Sequence, residues 1–148
     1  MTQRTLVVKV GTSLLRAGDE FLQALAANLS AERQRGTRLV LVTSGAVGLG
    51  CNELGFTQRP QLVEELQAAA AIGQGQLMAR YDAVFRPHGQ TVAQVLLTRG
   101  DLASRRRFIK ASRTLQQLLS WDVLPIINEN DTLATEELRF GDNDTLSA

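Results

Sequence analysis

The sequence predicts an α/β fold, a three-layer sandwich with a mainly parallel sheet between helices. Three observations predict it. Short apolar runs at 5–10, 38–43, 91–98 and 123–127 alternate with stretches of helical periodicity. The runs are nearly continuous in apolar residues, as parallel strands covered on both faces are. Three of the four end in small or polar residues: Gly11-Thr12-Ser13, Ser44-Gly45-Ala46 and Asn128-Glu129-Asn130-Asp131. In an open α/β sheet the crevice beyond the carboxyl ends of the strands is where ligands bind.

Each element has its own warrant. Residues 5–10 (TLVVKV) form a β-branched run interrupted by Lys9. A lysine in a buried strand is costly without an anionic partner. Two readings stay open: an edge strand with Lys9 in water, or a lysine beside a small-residue loop whose N–H groups face a phosphate. Residues 19–35 carry Phe21, Leu22, Leu25 and Leu29 at helical spacing, and Gly36 is a stop signal. Residues 38–43 (RLVLVT) are the second strand. They run into Ser44-Gly45-Ala46-Val47-Gly48, for which two readings stay open: a turn that brings backbone to a ligand with Ser44 projecting a hydroxyl, or a tight turn that only packs closely. Residues 51–60 read as a connection.

A long helix is expected over 61–86, with Leu62, Leu66, Ala69, Ala70, Gly73, Leu77 and Tyr81 near one face. The run Ala68-Ala69-Ala70-Ala71 makes that face slim, suited to close packing on the sheet or on a second copy, the sheet being the commoner case. Gly73 and Gly75 mark a kink or a close approach. Pro87-His88-Gly89 ends the helix. Residues 91–98 are the third strand, 101–121 a helix, and 123–127 the fourth strand. A short strand or hairpin arm is expected at 137–140, presenting Gly141-Asp142-Asn143-Asp144.

Composition excludes several classes of function. The 148 residues fit one domain with a sizeable core. Sixteen Lys and Arg against fifteen Asp and Glu give a net charge of +1, with no support for a nucleic-acid or anionic-membrane partner. The basic cluster Arg105-Arg106-Arg107 with Lys110 and Arg113 reads as a solvated helix face. A single Cys51 excludes an internal disulfide or a multi-cysteine metal site. The single His88 sits in a turn and argues against a Ser-His-Asp triad. No apolar run approaches the roughly 20 residues of a membrane span. The first residues lack a signal-peptide pattern, so the expected location is cytoplasmic.

The acidic and amide clusters admit three chemistries. Glu129, Asp131, Asp142 and Asp144 are oxygen donors suited to a hard cation, but the spacing is not that of a calcium loop, and no metal site is assigned. Two of them could serve as an acid/base pair. Alternatively, the mixture of amides, a hydroxyl and carboxylates could hold an amino acid at both ends, while a lysine stabilises a transferring phosphate.

Five segments together carry a resemblance: Val8-Lys9-Val10-Gly11-Thr12-Ser13, Val42-Thr43-Ser44-Gly45-Ala46, Leu96-Leu97-Thr98-Arg99, Pro125-Ile126-Ile127-Asn128-Glu129-Asn130-Asp131 and Gly141-Asp142-Asn143-Asp144. In this order and at these intervals the chain resembles the glutamate 5-kinases of the amino-acid kinase superfamily, over essentially all its length. The resemblance implies that ATP phosphorylates the γ-carboxylate of L-glutamate to γ-glutamyl phosphate, the first step of proline biosynthesis. It places Lys9 and Gly11 at the ATP phosphates, with Lys9 catalytic. It places Ser44, Asp131 and Asn143 at glutamate, and Asp144 as organiser of the catalytic lysines. Mg²⁺ would arrive with ATP. Proline as feedback inhibitor and a homo-oligomer are usual in the family.

Family members continue past Ala148 into the nucleotide-binding half. Residues 1–148 thus read as the N-terminal, amino-acid-substrate part of a truncated amino-acid kinase-like domain. Little activity is expected of these residues alone, with poor solubility or self-association from the exposed docking face. The alternatives are a non-catalytic glutamate-binding fragment and a kinase for a related carboxylate.

Overall fold

The computed structural model describes residues 3–131 and 146–147. Four strands form one parallel sheet: β1 (Thr5–Val10), β2 (Arg38–Thr43), β3 (Val92–Leu97) and β4 (Leu124–Glu129), in the order β1-β2-β4-β3. Strands β1 and β2 pair from Thr5 opposite Arg38 to Val10 opposite Thr43. β4 is inserted between β2 and β3, with Leu41 opposite Ile126 and Val95 opposite Ile127.

The helices are α1 (Thr12–Arg16), α2 (Asp19–Gln34), α3 (Ala46–Glu53), α4 (Val63–Phe85), α5 (Arg99–Ala103) and α6 (Arg105–Ser120). Side chains alternate between the two sheet faces, and each face has its own core. On one, Val10, Leu39, Leu41, Leu124 and Ile126 pack with Leu22, Ala26 and Leu29 of α2 and Leu77, Tyr81 and Phe85 of α4. On the other, Val40, Val42, Leu97 and Ile127 pack with Ala111, Leu115 and Leu119 of α6 and with Leu146. The expected three-layer α/β/α sandwich is what the chain adopts. Among the described residues no helix is long and apolar enough to cross a membrane.

Among the described strands β1 lies at the sheet edge, where a lysine is tolerated. The alternation leaves Thr5, Val7 and Lys9 exposed on the α6 side, while Val10 is buried on the other.

Four expectations need correction. The turn and connection expected over 44–60 contain the eight-residue helix α3, whose sequence AVGLGCNE has two glycines and an asparagine, all poor helix formers. Residues 12–16 form a short helix where a loop was expected. The helix expected over 101–121 is two: α5 ends after one turn and α6 starts afresh at Ser104, whose backbone is extended. The fourth strand runs two residues further than its apolar run. Asn128 and Glu129 are buried within it, opposite Leu96 and Leu97 of β3.

The α5 start was encoded in Thr98-Arg99-Gly100-Asp101. Thr98 Oγ1 accepts from the Asp101 backbone N–H at 3.2 Å, and the Asp101 carboxylate accepts from the Thr98 N–H at 2.8 Å. This reciprocal capping satisfies two helix-end donors. The Thr98 N–H also holds the Asp101 carboxyl below its usual range, against a smaller opposing effect of burial. Thr98→Ala is expected to lower stability by about 1 kcal/mol, read as a shift of the urea midpoint. An unchanged midpoint would contradict the assignment.

The slim face of α4 meets α3 rather than the sheet along its first half. Ala69 and Ala70 cluster with Val47 and Cys51, and only the second half, through Leu77, Tyr81 and Phe85, reaches the sheet. The two helix backbones touch. A Cβ on Gly50 would lie 1.8 Å from the Ala69 carbonyl oxygen, and one on Gly73 1.7 Å from that of Ala46. Small residues four apart on both helices, Ala46/Gly50 and Ala69/Gly73, make this crossing. The close approach expected at Gly73 is real. Gly75 has open space around it.

Candidate active site

Strand order places β2 beside β4, though they are not consecutive in the chain. The connections leaving β2 and entering β4 run on opposite faces of the sheet, through α4 and α6. This is the kind of switch point at which open α/β sheets form a crevice. A cavity of about 120 Å³ lies there. Thr12 and Arg16 of α1, Ser44 and Gly45 of the β2–α3 turn, and the first turn of α3 line it. Asn128, Glu129 and Asp131 come from the end of β4, and Arg59 from the α3–α4 loop.

The β2–α3 turn is shaped by Gly45. Its φ is 98°, a left-handed conformation that L side chains rarely adopt, and a Cβ there would press to 2.8 Å from Leu15 Cδ1. This glycine turns the chain so that α3 starts at the cavity. Among the described residues no side-chain cap is made at Gly45, the N-cap of α3, which leaves an electropositive helix end suited to a carboxylate or phosphate. Ser44 Oγ lies 3.1 Å from Thr12 Oγ1 and 3.5 Å from the Val10 carbonyl, which joins the tips of β1 and β2. One residue earlier, Thr43 Oγ1 is 2.6 Å from the Tyr81 hydroxyl, tying β2 to α4 in the core. Burial pushes that Tyr81 hydroxyl up to about 12.

The β4 end is held by amides. Asn128 Nδ2 donates to Gln74 Oε1 at 2.9 Å, and Gln74 Nε2 donates to Gln94 Oε1 at 3.0 Å. Asn128 Oδ1 accepts from the Glu129 N–H at 2.9 Å. The Asn130 N–H donates to the Leu97 carbonyl at 2.9 Å. Asp131 is thus presented from a fixed backbone. Burial pushes its carboxyl up to about 6, Glu129 pushes in the same direction, and the Arg59 guanidinium opposes. A carboxylate stressed in this way gains from a cationic ligand group.

Of the residues singled out in the sequence, Ser44 and Asp131 share this cavity. Lys9 and Gly11 are on the adjoining β1 tip and are not among its described lining residues. Gly11 has an ordinary φ of −78° and nothing within 4 Å of a would-be Cβ, so neither strain nor packing demands glycine there. Asn143, Asp144 and the arm at 137–140 lie outside the described residues. Among the described residues no three His, Cys, Asp or Glu side chains could hold a metal. Sequence reasoning did not pick out Thr12, Arg16 or Arg59. Only Thr12, next to Gly11 in a conspicuous loop, carried a signal. The two arginines sit on exposed segments without periodicity or motif.

The cavity therefore offers hydroxyls and a helix N-terminus for an anionic group, and a raised carboxyl for a cationic one. Comparison with known proteins gives this arrangement a context. Residues 4–148 match the amino acid kinase family. The chain is 63% identical over 147 residues to a glutamate 5-kinase of Prochlorococcus marinus, covering 96% of this chain and 41% of that protein. It is 62% identical over 144 residues to a glutamate 5-kinase of a Synechococcus species, covering 96% of this chain and 40% of that protein. The chain thus spans about two fifths of the length of these curated relatives. Among solved structures, Giardia carbamate kinase superposes with a TM-score of 0.56 at 12% identity, covering 86% of this chain and 59% of that one. Aspartate kinase from Synechocystis gives 0.52 at 17% identity, covering 82% and 21%. At those identities the likeness is one of fold.

Proposed function

The chain belongs to the amino acid kinase family, and from that premise we propose that it supplies the amino-acid site of an ATP-dependent kinase acting on the γ-carboxylate of L-glutamate. The observation that carries the reading is the cavity at the β2/β4 switch point, where Ser44, the start of α3 and Asp131 converge. The high identity to glutamate 5-kinases supports the choice of substrate. The product is γ-glutamyl phosphate, and the place in metabolism is the first step of proline biosynthesis.

The chemistry asks little of the protein beyond placement. The γ-carboxylate is ionised at neutral pH, so no general base is required. What remains is to bring two anions in line and to neutralise the charge spreading over the transferred phosphoryl group. In this reading Asp131 pairs with the substrate ammonium, and Ser44 with the α3 start holds a carboxylate. Gly11 leaves the backbone open to a phosphate, and Lys9 stabilises the phosphoryl group. Asn143 and Asp144 keep their assigned roles as glutamate contact and organiser. Mg²⁺ would come with ATP, because it is commonly carried by the substrate phosphates. Residues 1–148 would be the amino-acid part, with ATP held largely by sequence beyond them. The same reading carries a cytoplasmic location, a homo-oligomer and proline as feedback inhibitor.

Separate calorimetric titrations with L-glutamate and with ATP test the proposal. Assayed alone, the 148 residues are expected to bind glutamate in preference to aspartate and acetylglutamate. Phosphotransfer should be at least about a hundredfold below that of a longer relative, since positioning of ATP is a large part of such catalysis. Absence of glutamate binding, or a preference for another carboxylate, would overturn the substrate assignment.

A further inference from the structure

We propose that Arg59 recognises the α-carboxylate of the amino-acid substrate and makes the site selective for amino acids in which that carboxylate is free. The inference rests on the glutamate reading above and adds a residue outside the motifs that suggested it.

Arg59 is exposed in the loop joining α3 to α4, yet it lines the cavity. Among the described residues it makes no hydrogen bond and no ion pair within 4 Å. Its charge nevertheless acts on the Asp131 carboxyl. An ammonium and an α-carboxylate share one carbon atom. A site for both therefore needs a carboxylate and a cation side by side. Asp131 and Arg59 are such a neighbouring pair.

Arg16 is the other guanidinium in the cavity, and it is placed differently. Its Nη2 lies 4.0 Å from where a Cβ of Gly48 would stand, in the first turn of α3. That is the end offering Ser44 and the helix N–H groups to a carboxylate. Both arginines line the one cavity, Arg59 acting on Asp131 and Arg16 lying near the first turn of α3. L-Glutamate has two carboxylates and one ammonium, the complement of two guanidinium groups and Asp131. A guanidinium binds a carboxylate through a planar two-pronged contact, which a lysine does not reproduce.

The competing role for Arg59 is indirect, a charge that only adjusts Asp131. The two roles separate when Arg59→Gln and the parent protein are titrated with L-glutamate and with L-glutamate α-amide, which keeps the ammonium and the γ-carboxylate. For a direct contact, Arg59→Gln weakens glutamate by about 10- to 100-fold and leaves α-amide binding within about twofold. Arg59→Lys should recover only part of the loss. Equal weakening of both ligands, or no weakening of either, overturns the proposal while glutamate binding by the parent protein leaves the substrate reading intact. If the parent protein binds no glutamate, the substrate reading falls first and this inference with it.

Discussion

Asp131→Asn is expected to lower affinity for L-glutamate by about 30-fold or more while raising the stability of the unliganded protein at neutral pH. Both effects have one source. Burial, reinforced by Glu129, pushes the Asp131 carboxyl up from 3.8 to about 6, with Arg59 only partly offsetting this. An acid whose folded-state value is raised favours the native state while protonated. Its contribution is full below 3.8 and is lost as pH rises through about 6. At pH 7 the unliganded protein therefore holds an ionised carboxylate in a site that disfavours it. The substrate ammonium relieves that, and removing one partner of such a charged contact costs about 2–5 kcal/mol. Asparagine has no charge to relieve and none to offer.

The pH dependence follows with a definite sign. The ammonium pairs with the ionised carboxylate, so glutamate affinity in the parent protein should be level above about pH 7. Below the value near 6 it should fall by about tenfold per pH unit. In Asp131→Asn that dependence should vanish. Calorimetry from pH 5 to 8, with thermal unfolding of both proteins without ligand, measures all three outcomes. Wild-type-like binding by the variant would remove Asp131 from the site.

How far this site was legible in the sequence depends on the kind of signal each residue gives. The strands were legible because a buried parallel strand must be apolar over most of its length, and 38–43 could be little else. Ser44 and Asp131 were legible because each follows such a run, where the sheet edge presents polar groups. Two elements were misread where tertiary contact outweighed local preference. The α3 sequence looks like a turn because Gly50 is there for the approach of α4, not for flexibility. The 101–121 stretch looked continuous because leucine and isoleucine recur on both sides of Ser104, and the capping pair Thr98 and Asp101 marks only the start of α5 at Arg99, not that break. Arg16 and Arg59 were invisible for a simpler reason. An exposed arginine in a short helix or a loop looks the same whether it faces water or a cavity, and only the folded chain brings both to the cavity that Asp131 lines.

The helix crossing gives the second large effect, a pair of glycine substitutions with opposite outcomes in one helix. Gly73→Ala adds a methyl group 1.7 Å from the Ala46 carbonyl oxygen and close to the Gly50 backbone nitrogen. Backbone on both sides leaves no side chain to move aside, so α3 and α4 must separate. The contacts of Ala69, Ala70, Val47 and Cys51 loosen together. We expect a loss of about 3 kcal/mol or more, a large part of the 5–15 kcal/mol typical of a domain. Gly75→Ala, two residues on, meets nothing within 4 Å. There the higher helix propensity of alanine should stabilise by about 0.5–1 kcal/mol. Urea midpoints of the two variants against the parent distinguish a packing constraint from a propensity effect, because propensity alone would make both substitutions stabilising. The crossing also bears on the site, since α3 starts directly after Ser44 and Gly45. Gly73→Ala should therefore weaken glutamate binding under conditions where it remains folded, although Gly73 does not line the cavity. Gly75→Ala should leave binding unchanged.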